Sequence, residues 1–241
     1  RWQEYCPSPW CRSQNTMQET KVSVPVAKTS IINSKNSELI DLSSVSESVG
    51  NRITLDNTEI NRVLGGGITS DSVILITGEP GIGKSTMLLQ IANDCSNYGS
   101  VLYLSGEESD RQIKSRATRL GISGDNLILS SNTYLEEFLK DIENYTPSLL
   151  VIDSIQTLES TSNNSPPGSV SQIRDCGLIL MNWAKSANVP VIIAGHITKD
   201  GTVAGPRLLE HMVDVVLYLE GENLNDYRVL RSTKNRFGST T

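Results

Sequence analysis

From residue 52 onward, short apolar runs rich in β-branched residues alternate with segments of helical spacing. The runs are Val73-Ile74-Leu75-Ile76-Thr77, Val101-Leu102-Tyr103-Leu104, Asn126-Leu127-Ile128-Leu129, Leu149-Leu150-Val151-Ile152 and Val189-Pro190-Val191-Ile192-Ile193-Ala194. Each is nearly continuous rather than alternating. Strands covered on both faces, as in a parallel sheet, have this pattern. Between the runs, helices are predicted over residues 84–97, 108–120, 135–145 and 171–187. In the last of these, Ile173, Cys176, Leu180 and Trp183 fall on one buried stripe. A short helix around residues 59–64 is stopped by Gly65-Gly66-Gly67. Two further runs, Val215 to Leu219 and Tyr227 to Leu230, read as paired strands. The whole predicts an α/β fold with a mostly parallel central sheet flanked by helices.

Outside these elements the pattern breaks. Residues 20–51 are rich in Ser, Asn, Val and Lys without a sustained period, which reads as a linker. Residues 157–171 are Ser-, Asn- and Pro-rich and are expected to form a mobile loop. Residues 198–207 are expected to form a second, glycine-bearing loop.

The chemistry concentrates after the first run. Gly78-Glu79-Pro80-Gly81-Ile82-Gly83-Lys84-Ser85 fits G-x-x-x-x-G-K-[ST] between a predicted strand and a predicted helix opening with Thr86. Glycines let backbone N–H groups turn onto phosphate oxygens, and the helix N-terminus adds partial positive charge. Lys84 is placed to reach the β- and γ-phosphates, and the Ser85 hydroxyl to ligate Mg²⁺. Downstream, Leu149 to Ile152 carries Asp153 out of the core as a second Mg²⁺ ligand. Glu107 and Glu108 follow the second strand, where ligands bind in open α/β sheets. Either can orient an attacking water, or both are acids at a helix N-terminus. His196 ends the fifth run and is a candidate γ-phosphate sensor or an inert strand-end histidine. Adjacent Lys199 and Asp200 do not form the guanine-reading N-K-x-D pattern, which favours ATP over GTP. Two basic stretches are a solvated face or a DNA contact: Arg111, Lys114, Arg116 and Arg119 on one helix, and Arg228, Arg231, Lys234 and Arg236 at the end.

Bulk properties narrow the classes. The 241 residues carry a net charge of −6, which argues against a uniformly basic nucleic-acid surface. No apolar run is as long as a membrane span and no signal peptide is visible, so no membrane partner is expected. Cys95 and Cys176 fall in predicted helices, which points to a reducing compartment. Cys6 and Cys11 form a C-x4-C pair, read either as half of a zinc site or as two free thiols. The chain begins with Arg and stops at Ser239-Thr240-Thr241 without a terminating element, which reads as a fragment.

Several segments together resemble the RadA/Sms proteins, relatives of RecA in recombinational DNA repair. They are Arg62 to Gly67, Gly78 to Thr86, Leu104 to Ser109, Val151 to Thr157, Ala194 to Lys199, Ala204 to Arg207, Leu209 to Asp214, and Lys234-Asn235-Arg236-Phe237-Gly238-Ser239-Thr240. The resemblance spans residues 52–241. It implies a RecA-like P-loop core that assembles as a ring, a hexamer, on single-stranded DNA. It also implies an ATP-driven motor that translocates and promotes branch migration of branched DNA beside a RecA-type recombinase, in a bacterial cytoplasm or an organelle. By position, Glu107 matches the water-activating glutamate, and Lys84, Ser85 and Asp153 match the Mg-ATP ligands. Lys234 and Arg236 match cations near the neighbouring subunit's ATP or the DNA path. The family also carries an N-terminal four-cysteine zinc finger followed by Trp-Asn-Thr. Here one C-x4-C pair stands at residues 1–19 as a remnant, with Gln14 before Asn15-Thr16. A C-terminal domain of Lon-protease type, carried by the family, is not found in this sequence. The competing expectation is a ring-forming scaffold gated by ATP with slow hydrolysis.

Overall fold

The computed structural model describes residues 41, 43, 52–196, 204–221 and 227–240. The expectations for Cys6 and Cys11, for nearly all of the linker and for residues 198–203 lie outside the described residues.

The first helix, α1 (Thr58–Leu64), starts where the Asn57 side chain accepts from the Glu59 and Ile60 N–H groups. It stops at Gly65, which takes the left-handed conformation at φ 81°. The central sheet then forms from β1 (Val73–Gly78), β2 (Val101–Ser105), β3 (Leu127–Ser130), β4 (Leu149–Asp153), β5 (Val191–His196), β6 (Val215–Gly221) and β7 (Arg228–Asn235). Their order across the sheet is β3-β2-β4-β5-β1-β6-β7. All neighbours run parallel except β6 and β7, which pair antiparallel. The helices α2 (Lys84–Cys95), α3 (Asp110–Arg119), α4 (Leu135–Asp141), α5 (Val170–Ala187) and α6 (Ala204–Met212) complete the order.

Alternation along the buried strands builds a core on each face. Ile74 and Ile76 of β1 pack with Leu88, Ile91 and Ala92 of α2 and with Ile113 of α3. Val73 and Leu75 pack instead with Ile173, Cys176 and Leu180 of α5 and Leu209 of α6. Both thiols in α2 and α5 are free and buried, and burial pushes each up to about 12. They act as small apolar side chains.

Three expectations are adjusted. The third strand begins at Leu127 because Asn126 is left-handed, at φ 58°. Residues 157–171 form a loop with internal bonds and a buried side: Leu158 and Ser160 are buried. There the Gln172 amide donates to the Asn163 and Ser165 carbonyls, and Glu136 accepts from Ser160 and Thr161. Gly205-Pro206-Arg207, expected in a loop, lies in α6. Pro206 is tolerated in a first helical turn, where the missing N–H has no intrahelical acceptor.

Candidate nucleotide-binding site

The parallel strands deliver their C-terminal ends to one edge of the sheet, and the candidate residues collect there. β1 ends at Gly78, held so close to β6 that a Cβ would come within 2.4 Å of the Leu219 carbonyl oxygen. The loop turns through Gly81 and Gly83, at φ 79° and 112°. α2 starts at Lys84 with no side chain capping its N-terminus. Its first N–H groups are therefore unclaimed by side chains, as an anion site requires. Glu79 and Pro80 are exposed and Ile82 is half-buried. Lys84 is 3% exposed, and its ammonium donates to the carbonyls of Gly78 and Glu79 at 2.9 Å each. Burial lowers its pKa, while Asp153 and Glu107 work against that shift.

Asp153, at the end of β4, is 3% exposed. The Tyr103 hydroxyl donates to its Oδ2 at 2.8 Å. Burial raises the carboxyl's pKa, and the Tyr103 and nearby Ser85 hydroxyls work against that shift. A hydroxyl beside a carboxylate fits a Mg²⁺ ion that would draw its other ligands from phosphate and water. Among the described residues there is no cluster of three or more His, Cys, Asp or Glu able to hold a metal.

The adjacent acids point to different partners. Glu108 pairs with Arg116 of α3. Glu107 Oε1 meets His196 Nε2 at 2.8 Å and accepts from the Ser154 hydroxyl. The His196 hydrogen bond, followed by that of Ser154 and the charge of Lys84, overcomes partial burial and lowers the Glu107 carboxyl to about 2. His196 lies beside Gly78 across the β1–β5 pair. Its Nδ1 is buried without a hydrogen-bond partner. Lys84, Ser85, Glu107, Asp153 and His196 thus belong to one constellation at the ends of β1, β2, β4 and β5, able to hold a phosphate chain, a divalent cation and a water beside a carboxylate.

A family model described as AAA domain matches residues 41–202. The chain belongs to the AAA domain family. Within it, the sequence is similar to "DNA repair protein RadA" of Bacillus subtilis, at 46% identity over 100% of this chain and 53% of the relative. The Listeria monocytogenes protein of the same name is 45% identical over 100% of this chain and 52% of its own length. That of Streptococcus pneumoniae is 48% identical over 93% and 53%. The resemblance to the RadA group therefore reaches beyond residues 52–241, and the chain spans about half the length of these curated relatives.

Other basic residues of this AAA-domain chain lie elsewhere. Lys234 and Arg236 sit at the sheet end opposite the P-loop, since Lys234 pairs with Val216 near the start of β6. Lys234 donates to the Glu210 and His211 carbonyls at the end of α6, and Arg236 pairs with Asp214 at 2.9 Å. On α3, Lys114 bonds the Ser123 carbonyl, and Arg116 is engaged by Glu108 rather than solvated. The described residues contain no helix long and apolar enough to cross a membrane.

Sequence reasoning missed three residues. Tyr103 looked like one more apolar strand residue, Ser154 only followed an acid, and Arg228 was one charge among four. Arg228 lies against the P-loop: a Cβ on Gly83 would approach its Nη1 to 3.3 Å. Only strand order reveals these contacts.

Proposed function

We propose that the chain is the ATP-hydrolysing portion of a DNA-dependent motor of recombinational DNA repair. The observation that carries the hydrolytic reading is the convergence of Lys84, the Ser85–Asp153 pair and Glu107 at one edge of the sheet. Backbone N–H groups from Gly81 to Ser85 and the Lys84 ammonium stabilise the charge on the transferred phosphoryl group. For this Lys84 leaves the carbonyls of Gly78 and Glu79. Thr86 stands in the first turn of α2, within reach of the remaining phosphates. Mg²⁺ held by Ser85 and Asp153 would offset the charge shared by the β- and γ-phosphates. Glu107, kept ionised, orients the attacking water and takes its proton. His196 and Ser154 hold that carboxylate in place, and His196 sits where it can respond to the γ-phosphate.

The DNA side of the reading rests on the similarity to proteins named for DNA repair. On it, subunits form a ring, a hexamer, on single-stranded DNA, and hydrolysis drives translocation and branch migration of branched DNA alongside a RecA-type recombinase. Lys234 and Arg236 act in trans, because within their own chain they lie at the far end of the sheet. Zinc, if bound by the full-length protein, would involve the Cys6–Cys11 segment, and a bacterial cytoplasm or an organelle is the setting.

The test compares Glu107→Gln with Glu108→Gln. Glu107→Gln should bind ATP as the wild type does while turnover falls by about 10²–10⁴. Glu108→Gln should keep turnover within a few fold. The reverse pattern would move the water-activating role to Glu108.

A further inference from the structure

Tyr103 lies midway along β2, opposite Val151 of β4 in the parallel register, and Ser105 stands opposite Asp153. Side chains two apart on a strand share a face. Tyr103, Val151 and Asp153 therefore lie on one side of the sheet, the side that α2 covers with Leu88 and Ile91. The Tyr103 ring is fully buried in that core. Phenylalanine would fill the same space, so packing accounts for the ring and not for the hydroxyl. That hydroxyl donates to Asp153 Oδ2 at 2.8 Å. A buried phenol O–H requires an acceptor, and here the acceptor is the carboxylate assigned to a divalent cation. One end of Tyr103 is thus fixed by the core, and the other grips Asp153 from beneath.

We infer that Tyr103 sets which divalent cation is accepted beside Ser85 and Asp153, by engaging Oδ2 from the core so that the carboxylate presents its other oxygen. The inference rests on the reading of Ser85 and Asp153 as the cation site and assigns the origin of its selectivity. Mg²⁺ takes about six ligands, keeps several waters and is content with one oxygen of a carboxylate. Ca²⁺ takes about six to eight and often draws on both oxygens. For Ca²⁺ to do so here, the bond to Tyr103 would have to break and leave a buried hydroxyl unpaired, a cost that Mg²⁺ avoids. Tyr103 is a positioning residue: it acts through Asp153 and touches neither phosphate nor the attacking water.

Titration calorimetry of ADP binding to the 241-residue chain, in Mg²⁺, in Ca²⁺ and in EDTA, tests this. Wild type should bind ADP more tightly in Mg²⁺ than in Ca²⁺, and equal support by the two cations would overturn the inference without any variant. Tyr103→Phe keeps the ring and removes the hydroxyl. It should bind metal-free ADP within about twofold of wild type, while the preference for Mg²⁺ over Ca²⁺ falls roughly tenfold. An unchanged preference would overturn the inference, as would an equal loss of affinity under all three conditions, which is the mark of a residue that only packs the core. Asp153→Asn separates this inference from the reading beneath it. If Asp153→Asn loses the cation dependence and Tyr103→Phe keeps the wild-type preference, the cation site stands and the role of Tyr103 falls. If Asp153→Asn keeps the full cation dependence, both fall.

Discussion

Glu107 is held by two donors on one oxygen, and this sets its chemistry. The hydrogen bonds from His196 and Ser154 exist only in the folded chain, where the carboxyl stands at about 2 rather than its ordinary 4.5. A carboxyl lowered by folding contributes stability that is full above the unfolded value and is lost as pH falls through the folded one. Wild type should therefore lose this contribution between pH 4.5 and about 2. Glu107→Gln should lack that part of the slope. Urea unfolding at several acid pH values measures the difference. An identical slope in the two proteins would show that the carboxyl is not held this way. Lys84→Ala should abolish ATP hydrolysis in a steady-state phosphate-release assay, because the lost ammonium is the cation held on the loop and coupled to both Asp153 and Glu107. The residue pattern alone left open which of two consecutive glutamates faces the site, and only the family resemblance singled out Glu107. Adjacent residues diverge by the local path of the chain after β2, and Arg116, eight residues on, claims Glu108.

At the level of elements, the last turn of the chain acts as a clasp on the sheet end away from the P-loop. Asp214 accepts the Val73 N–H at 3.0 Å with one oxygen and pairs with Arg236 through the other. Asn235 donates to the Val63 carbonyl, and Gly238 packs on Gly65 so closely that a Cβ there would come within 2.8 Å of the Gly65 Cα. Asp214→Ala leaves a buried N–H unpaired and should cost about 1–3 kcal/mol in urea unfolding. Affinity for ADP should stay unchanged, since the change lies a strand's length from the P-loop. A loss of ADP binding at full stability would contradict this placement. The strands themselves were readable, because continuous apolar runs leave little freedom when both sheet faces are covered. The internal bonding of the loop over residues 157–171 was not readable because its Ser and Asn residues bond one another and Gln172, and composition records polarity without recording partners. Tyr103 was hidden for a related reason: its ring belongs to the core, and only its hydroxyl reaches Asp153.

For the whole molecule, the separation of Lys234 and Arg236 from their own P-loop decides how they can serve hydrolysis. They act on a neighbour's nucleotide or not at all. Arg236→Ala and Lys84→Ala chains should each be inactive alone and recover part of their turnover when mixed, because one supplies an intact loop and the other an intact basic end. No recovery on mixing would contradict the trans arrangement.

The net charge of −6 leaves any DNA contact to a local basic surface, so DNA dependence is the claim most exposed to test. The most direct measurement is ATP turnover of the 241-residue chain with and without single-stranded DNA, at low and high salt, beside Lys84→Ala. The account predicts turnover that rises with DNA, a rise that fades with salt as phosphate contacts are screened, and no turnover in the variant. Turnover that is indifferent to DNA at both salt concentrations would contradict it and favour the ring-forming scaffold.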